Sequence, residues 1–296
     1  MRNTLPIQPG ILAPIPAHAR YLMCQSLPEV DARAVLKALA QATDGERTVV
    51  GIGDSLISKL GASVAGLKPF MGIVNAKVKL PATPTDVMIW LRGDDRGELL
   101  ARSRQLETLL ATAFRIESVT DAFNHDGGRD LTGYEDGTEN PKGEDAIDAA
   151  FIPAGAAAPV GSSFLAIQRW HHQFARFEAM PKPQQDHTYG RERESNEELD
   201  DAPESAHVKR TAQEDFSPEA FVLRRSMPWT EGNHGGLVFT AFGHSFAAFE
   251  ALLGRMSGAE DGVIDALFSF TEPQTGAYFW CPPMHQGQLD LRVLGL

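Results

Sequence analysis

Cysteine is almost absent from this chain: its 296 residues hold two, Cys24 and Cys281. Two thiols so far apart form neither a disulfide framework nor a CxxC metal site, and they read as reduced thiols of a cytoplasmic protein. Basic side chains are also short, 27 against 39 acidic, for a net charge of −12. A deficit of that size excludes a nucleic-acid binder held by phosphate contacts and a binder of anionic membranes. No long apolar run is present. The N-terminal stretch carries Arg2 but prolines interrupt it, so no signal peptide is expected. The longest uncharged stretch, Ala149–Gln168, is broken by Pro153 and Pro159 and reads as a linker entering a strand, not a membrane span. Tyr and Trp number four each; Trp170, Trp229, Tyr278 and Trp280 sit in segments that read as core, where packing is their default role.

What is present is an alternation of strand-like and helix-like segments. Tyr21–Ser26, Arg47–Ile52, Asp86–Leu91 and Arg115–Val119 read as strands, with helices over Pro28–Thr43 and Arg96–Phe114. The second half repeats the rhythm. Strands are expected at Ser163–Trp170, Phe221–Arg224, Gly236–Phe242 and Tyr278–Cys281, and helices at His171–Met180 and His244–Met256. Each half reads as β-α-β-β-α-β, a ferredoxin-like arrangement, which makes the fold class α+β with antiparallel sheets and peripheral helices. The join falls near 150, giving halves 1–150 and 151–296.

Three features invite chemistry and carry little. Gly53-Asp-Ser55-Leu resembles the nucleophile block of GDSL ester hydrolases, but no His has an Asp three residues before it to serve as base, so Ser55 reads as a cap or turn residue. His171 and His172 are adjacent, and on a helix would point about 100° apart, too divergent for one metal ion; His187 stands alone. Arg191–Glu204 packs seven acidic residues into a solvated loop.

A fourth feature is specific. Gly133-Tyr-Glu-Asp136-Gly137-Thr-Glu-Asn140-Pro141 is turn chemistry in its parts. As a whole it resembles the GxxDG hallmark of the dye-decolourising peroxidases. Further segments in the same order resemble the bacterial B-type branch: Ile7–Leu12, Val49–Gly53, Ser163–His172, Gly190-Arg191, His207–Arg210, Leu223–Trp229 and Thr275–Pro283.

The resemblance implies two ferredoxin-like halves, of the dimeric α/β-barrel type, with haem b held mainly by the second. His207 would be the proximal iron ligand, its other ring N–H held by Asp265, which otherwise reads as a surface acid. Asp136 and Arg224 would occupy the opposite face; Arg225 competes with Arg224, and strand alternation lets only one of them look at the iron. Ser226 would face the same pocket, where some relatives have Asn. Arg191 would pair with a haem propionate, with Arg210 as competitor.

The implied activity is reduction of hydrogen peroxide through an oxoferryl compound I, followed by one-electron oxidation of organic dyes or phenolics. Asp136 would move the peroxide proton and Arg224 would stabilise developing charge. A haem-handling protein that releases iron, with incidental peroxidase activity, is the alternative. A homo-oligomer is expected. Loading into an encapsulin shell is not, since little chain follows the last strand.

Overall fold

The computed structural model describes residues 5–296, so Arg2 lies outside the described part. The first half runs β1 (His18–Ser26), α1 (Arg33–Ala42), β2 (Thr48–Ile52), α2 (Asp54–Lys59), β3 (Val87–Gly93), α3 (Arg96–Leu110) and β4 (Phe114–Phe123). After α4 (Gly143–Ala150) come β5 (Ser163–His172), α5 (Phe174–Glu178), α6 (Lys182–Tyr189) and α7 (His207–Arg210). The chain continues with β6 (Leu223–Arg224), β7 (Met227–Glu231), β8 (His234–Gly243), α8 (Ala247–Met256), β9 (Thr271–Pro273) and β10 (Ala277–Cys281).

The fold is α+β, and its main sheet closes. Pairing runs β4-β1-β3-β2-β10-β5-β8-β7 and returns from β7 to β4, with β6 added on β8 and β9 on β5. All neighbours are antiparallel. The two joints between halves are narrow: Trp280 opposite Ile52, and Ala122 opposite Trp229. Closure leaves these strands without bare edges.

Strand alternation builds two cores. Met88 and Trp90 of β3, Leu165 and Ile167 of β5, and Phe279 of β10 point to the inside of the closed sheet, where Trp90 stacks between Tyr21 and Phe242. Val87, Ile89 and Leu91, Phe164 and Ala166, and Tyr278 and Trp280 point outward under α1, α3 and α8. Both thiols are buried and free, and burial pushes the Cys24 thiol up to about 12.

Several expected boundaries move. The helix expected over His171–Met180 is strand through His172, because β5 pairs with β9 there and the His172 ring is buried between Asp130 and Thr271; helix α5 starts only at Phe174. The first helix starts at Arg33, not Pro28. Ser55 lies inside α2, whose N-cap is Gly53. Among the described residues no helix is long and apolar enough to cross a membrane.

Gly236 of β8 leaves no room for a side chain. A Cβ there would overlap the Trp170 carbonyl of β5. Gly236→Ala should therefore cost about 1–3 kcal/mol or more, as overpacking does. A lowered thermal midpoint checks this; an unchanged one would show that the β5–β8 ladder has slack.

Candidate active site

His207 opens α7, a single helical turn that follows the acidic loop. Its position is prepared by Gly190, which ends α6 in a left-handed conformation (φ 82°); a side chain there would collide with Val208 and Ala206. The His207 ring Nδ1 lies 2.7 Å from Asp265 Oδ2. The Asp265 carboxylate is fully buried, and its other oxygen accepts the Leu267 N–H at 2.9 Å. Asp265 is thus pinned from behind, as the cap of the short turn Ala266–Ser269, and is no surface acid. A carboxylate accepts only, so Nδ1 donates this bond, and Nε2 has no hydrogen-bond partner among the described residues of a side chain that lines the cavity.

Arg224 stands across that cavity, at the end of β6. Its backbone is clamped by the loop of the nine-residue motif: Asn140 Oδ1 accepts the Arg224 N–H (2.8 Å), and Asn140 Nδ2 donates to the Arg224 carbonyl (2.9 Å). The Asn of the motif acts as one more rung of the sheet. The same loop delivers Asp136, whose Oδ1 is 3.9 Å from the Arg224 guanidinium. Arg225 turns the other way and donates to the carbonyls of Ile11 and Leu12 at 2.9 and 3.0 Å. Burial, then the nearby Arg92, lowers its guanidinium to about 10. Arg224 therefore borders the cavities and Arg225 does not, its guanidinium being taken up by the Ile7–Leu12 segment.

Two neighbouring cavities share His207, Asp136 and Arg224 in their walls. The inner one, about 100 Å³, lies between the outer face of β5 and β8 and helix α8, and is walled by Trp170, Leu237, Phe239, Phe249, Leu252 and Met256. The outer one, about 380 Å³, widens past Tyr189, Arg191, Phe270 and Thr271 toward Glu139 and Glu198. Two buried donors beside the inner cavity have no partner among the described residues: Arg224 Nε and Gln168 Nε2. The Gln168 carbonyl is already used by the Trp170 indole N–H (3.2 Å).

The remaining expected site residues divide. Arg191 borders the outer cavity, held by Glu139 (3.0 Å) and Glu198 (3.3 Å). Its competitor Arg210 is buried in a bidentate pair with Asp261 (2.8 and 2.7 Å) and borders neither cavity. Ser226 borders neither cavity either. It lies in the link between β6 and β7, and the Ser226 hydroxyl accepts the Thr240 N–H at 3.3 Å. His171 meets His234 across the strands at 3.4 Å, and His187 meets Asp201; both lie away from the cavities. Tyr189 and Thr271 line the outer cavity with no signal of their own in the sequence.

The family model for the C-terminal part of Dyp-type peroxidases matches residues 127–286, which contain every one of these side chains. The chain belongs to the Dyp-type peroxidase family. A dye-decolorizing peroxidase of Rhodococcus erythropolis is 30% identical over 248 residues, 80% of this chain and 72% of that protein. One of Brevibacterium linens is 29% identical over 242 residues, 79% of this chain and 66% of that protein. Among solved structures, a DypB variant of Rhodococcus jostii RHA1 in complex with heme superposes with TM-score 0.82 at 25% identity, covering 93% of this chain and 95% of that one. Within this Dyp-type peroxidase, the family's motif thus has a structural duty, clamping Arg224, besides presenting Asp136.

Proposed function

We propose that the two cavities together hold one haem b per chain and that the protein reduces hydrogen peroxide and oxidises organic dyes or phenolics by single electrons. The observation that carries this is the single imidazole of His207. Its Nδ1–H is committed to buried Asp265, and its Nε2 is unpartnered, on a side chain that lines a cavity walled by apolar side chains on one side and faced by Asp136 and Arg224 on the other. One imidazole suits an iron that brings its own equatorial ligands. The unpartnered donors Arg224 Nε and Gln168 Nε2 fit a cavity made for an occupant. The heme-bound Rhodococcus jostii DypB structure supports the same reading.

His207 would hold the haem iron, its imidazole made more basic by Asp265. Arg191, at the open end, would meet a propionate in place of Glu139 and Glu198. Haem supplies the redox chemistry when bound. Asp136 takes a proton from one oxygen of hydrogen peroxide and returns it to the other, and Arg224 stabilises the charge that grows as the O–O bond breaks. Ser226 drops out of the pocket set on its position.

The strand orders support the finer view of the fold. Each half carries four antiparallel strands with the middle pair flanked as in a ferredoxin-like unit: β4-β1-β3-β2 and β10-β5-β8-β7. We infer a duplication, with halves 1–150 and 151–296.

Titrating haem into the apoprotein should give a Soret band that saturates at one haem per chain and confers peroxide-dependent phenol oxidation. Asp265→Asn should weaken that binding about 10–100-fold, as loss of an outer partner does for metal sites. A chain that takes up no haem would contradict the reading.

A further inference from the structure

The interior of the closed sheet ends at a polar mouth. The alternation that turns Leu165 and Ile167 of β5 inward turns Arg169 and His171 the same way at the end of that strand. His234 opens β8 on the inward side too. It stands two positions before Gly236, which pairs with His171 on one flank and with Trp229 on the other. Glu231 of β7 lies opposite His234, and Glu272 of β9 lies opposite His171. Polar side chains from β5, β7, β8 and β9 thus share one face, beside the buried Trp229 ring.

Two of these side chains already meet. His171 Nε2 lies 3.4 Å from His234 Nδ1, with the ring centroids 5.5 Å apart. As a hydrogen bond that distance is long. As the spacing of two ligands it fits, since nitrogens bound at about 2.0–2.1 Å to a tetrahedral zinc ion lie about 3.3–3.4 Å from each other. Gly236, in register with His171, puts no side chain between them. The Trp229 ring, 6.4 Å from that of His171, supplies an apolar floor that limits the approach of water. Of the two carboxylates, Glu231 is engaged by Arg169 at 3.4 Å, whose guanidinium lies 3.6 Å over Trp229. Glu272 has no hydrogen-bond or ion-pair partner among the described residues. Directly opposed residues of a ladder have Cβ atoms about 4.5–5.5 Å apart, so a change of rotamer brings the Glu272 carboxylate to the histidine pair. That turn is required, because among the described residues no three His, Cys, Asp or Glu side chains converge as they stand.

We propose that His171 and His234 hold one divalent ion of the zinc class at the mouth of the closed sheet, with Glu272 as third ligand and water completing a tetrahedron. Imidazole ligands suit zinc, copper and nickel, whereas manganese, magnesium and calcium prefer oxygen. Neither histidine borders the two cavities, so the site stands independently of the haem reading. The bound ion ties the ends of β5, β8 and β9 together. Glu272 directly follows Thr271, which lines both cavities and donates to the His171 carbonyl at 3.0 Å, so the ion also braces that part of the cavity wall.

Titration calorimetry of the full, tag-free chain with zinc sulfate tests this. One ion per chain is expected to bind at this site. His171→Ala and His234→Ala should each weaken that binding at least about tenfold, since loss of even an outer partner costs a metal site that much. His234 is exposed, so its removal leaves the fold intact and the loss is one of ligation. Glu272→Gln should weaken binding less than either histidine variant, and manganese chloride should give no comparable heat. Saturating zinc should raise the thermal midpoint of the wild type and not that of His234→Ala. The heat should persist in His207→Ala, which separates this site from the imidazole of the cavities. A wild type that binds no zinc, binding untouched in His171→Ala and His234→Ala, or heat that disappears with His207 instead would overturn the site. Undiminished affinity in Glu272→Gln would remove Glu272 from it.

Discussion

His207→Ala should leave a folded protein that binds haem more than about 100-fold more weakly, beyond the 10–100-fold that loss of an outer partner costs. The size follows from the geometry. His207 offers the one imidazole that lines both cavities, and His172, the one buried histidine among the described residues, has both ring nitrogens occupied by Asp130 and Thr271. Removal also strands the Asp265 carboxylate, which keeps only the Leu267 N–H. An acceptor left short in this way costs about 1–3 kcal/mol. His207→Ala should thus lower the thermal midpoint of the apoprotein, and His207→Ala with Asp265→Ala should recover part of it. Haem titration followed by Soret absorbance checks the first effect, and exogenous imidazole should restore part of the band. Undiminished haem affinity in His207→Ala would move the ligand elsewhere.

Arg224→Leu should lower kcat/KM for peroxide about 10²–10³-fold, the usual cost of deleting one donor that stabilises transition-state charge. The fold should hardly notice. Asn140 and β8 hold the Arg224 backbone, not its side chain, and its Nε is already unpartnered. Asp136→Asn should lose a comparable factor by removing the proton carrier. The double variant should lose less than the product of the two, because the carboxylate and guanidinium act as one unit. Haem binding should survive in all three variants, which separates these residues from His207 and Asp265.

Much of this site is legible in the amino-acid sequence because its parts are tied to short strings. The nine-residue motif is readable since two of its members do separate jobs, Asp136 in the cavity and Asn140 on the Arg224 backbone. His207 was legible through the family string His207–Arg210, and it stands at the cavity beside Gly190 and Asp265, which shape its turn. The strand that runs on through His172 was not legible. Its reason is a buried partner 42 residues earlier, Asp130, which no local pattern reveals. Ser226 misleads for a related reason: counting two positions from Arg224 assumes an unbroken strand, whereas the chain passes from β6 to β7 there. The histidine pair at the mouth of the sheet was not legible either, because His171 and His234 are 63 residues apart and meet only where β5 pairs with β8. The acidic run Arg191–Glu204 reads as solvent-facing loop and largely is, yet Arg191 and Glu198 within it border the outer cavity.

The central claim is that peroxide is cleaved in the cavity between His207 and the Asp136–Arg224 pair. Rapid mixing of haem-loaded enzyme with one equivalent of hydrogen peroxide, followed at the Soret band, tests it most directly. A fast spectral change in the wild type, slowed about 10²-fold or more in Arg224→Leu and in Asp136→Asn at equal haem content, is the predicted result. Equal rates in all three proteins would contradict the account.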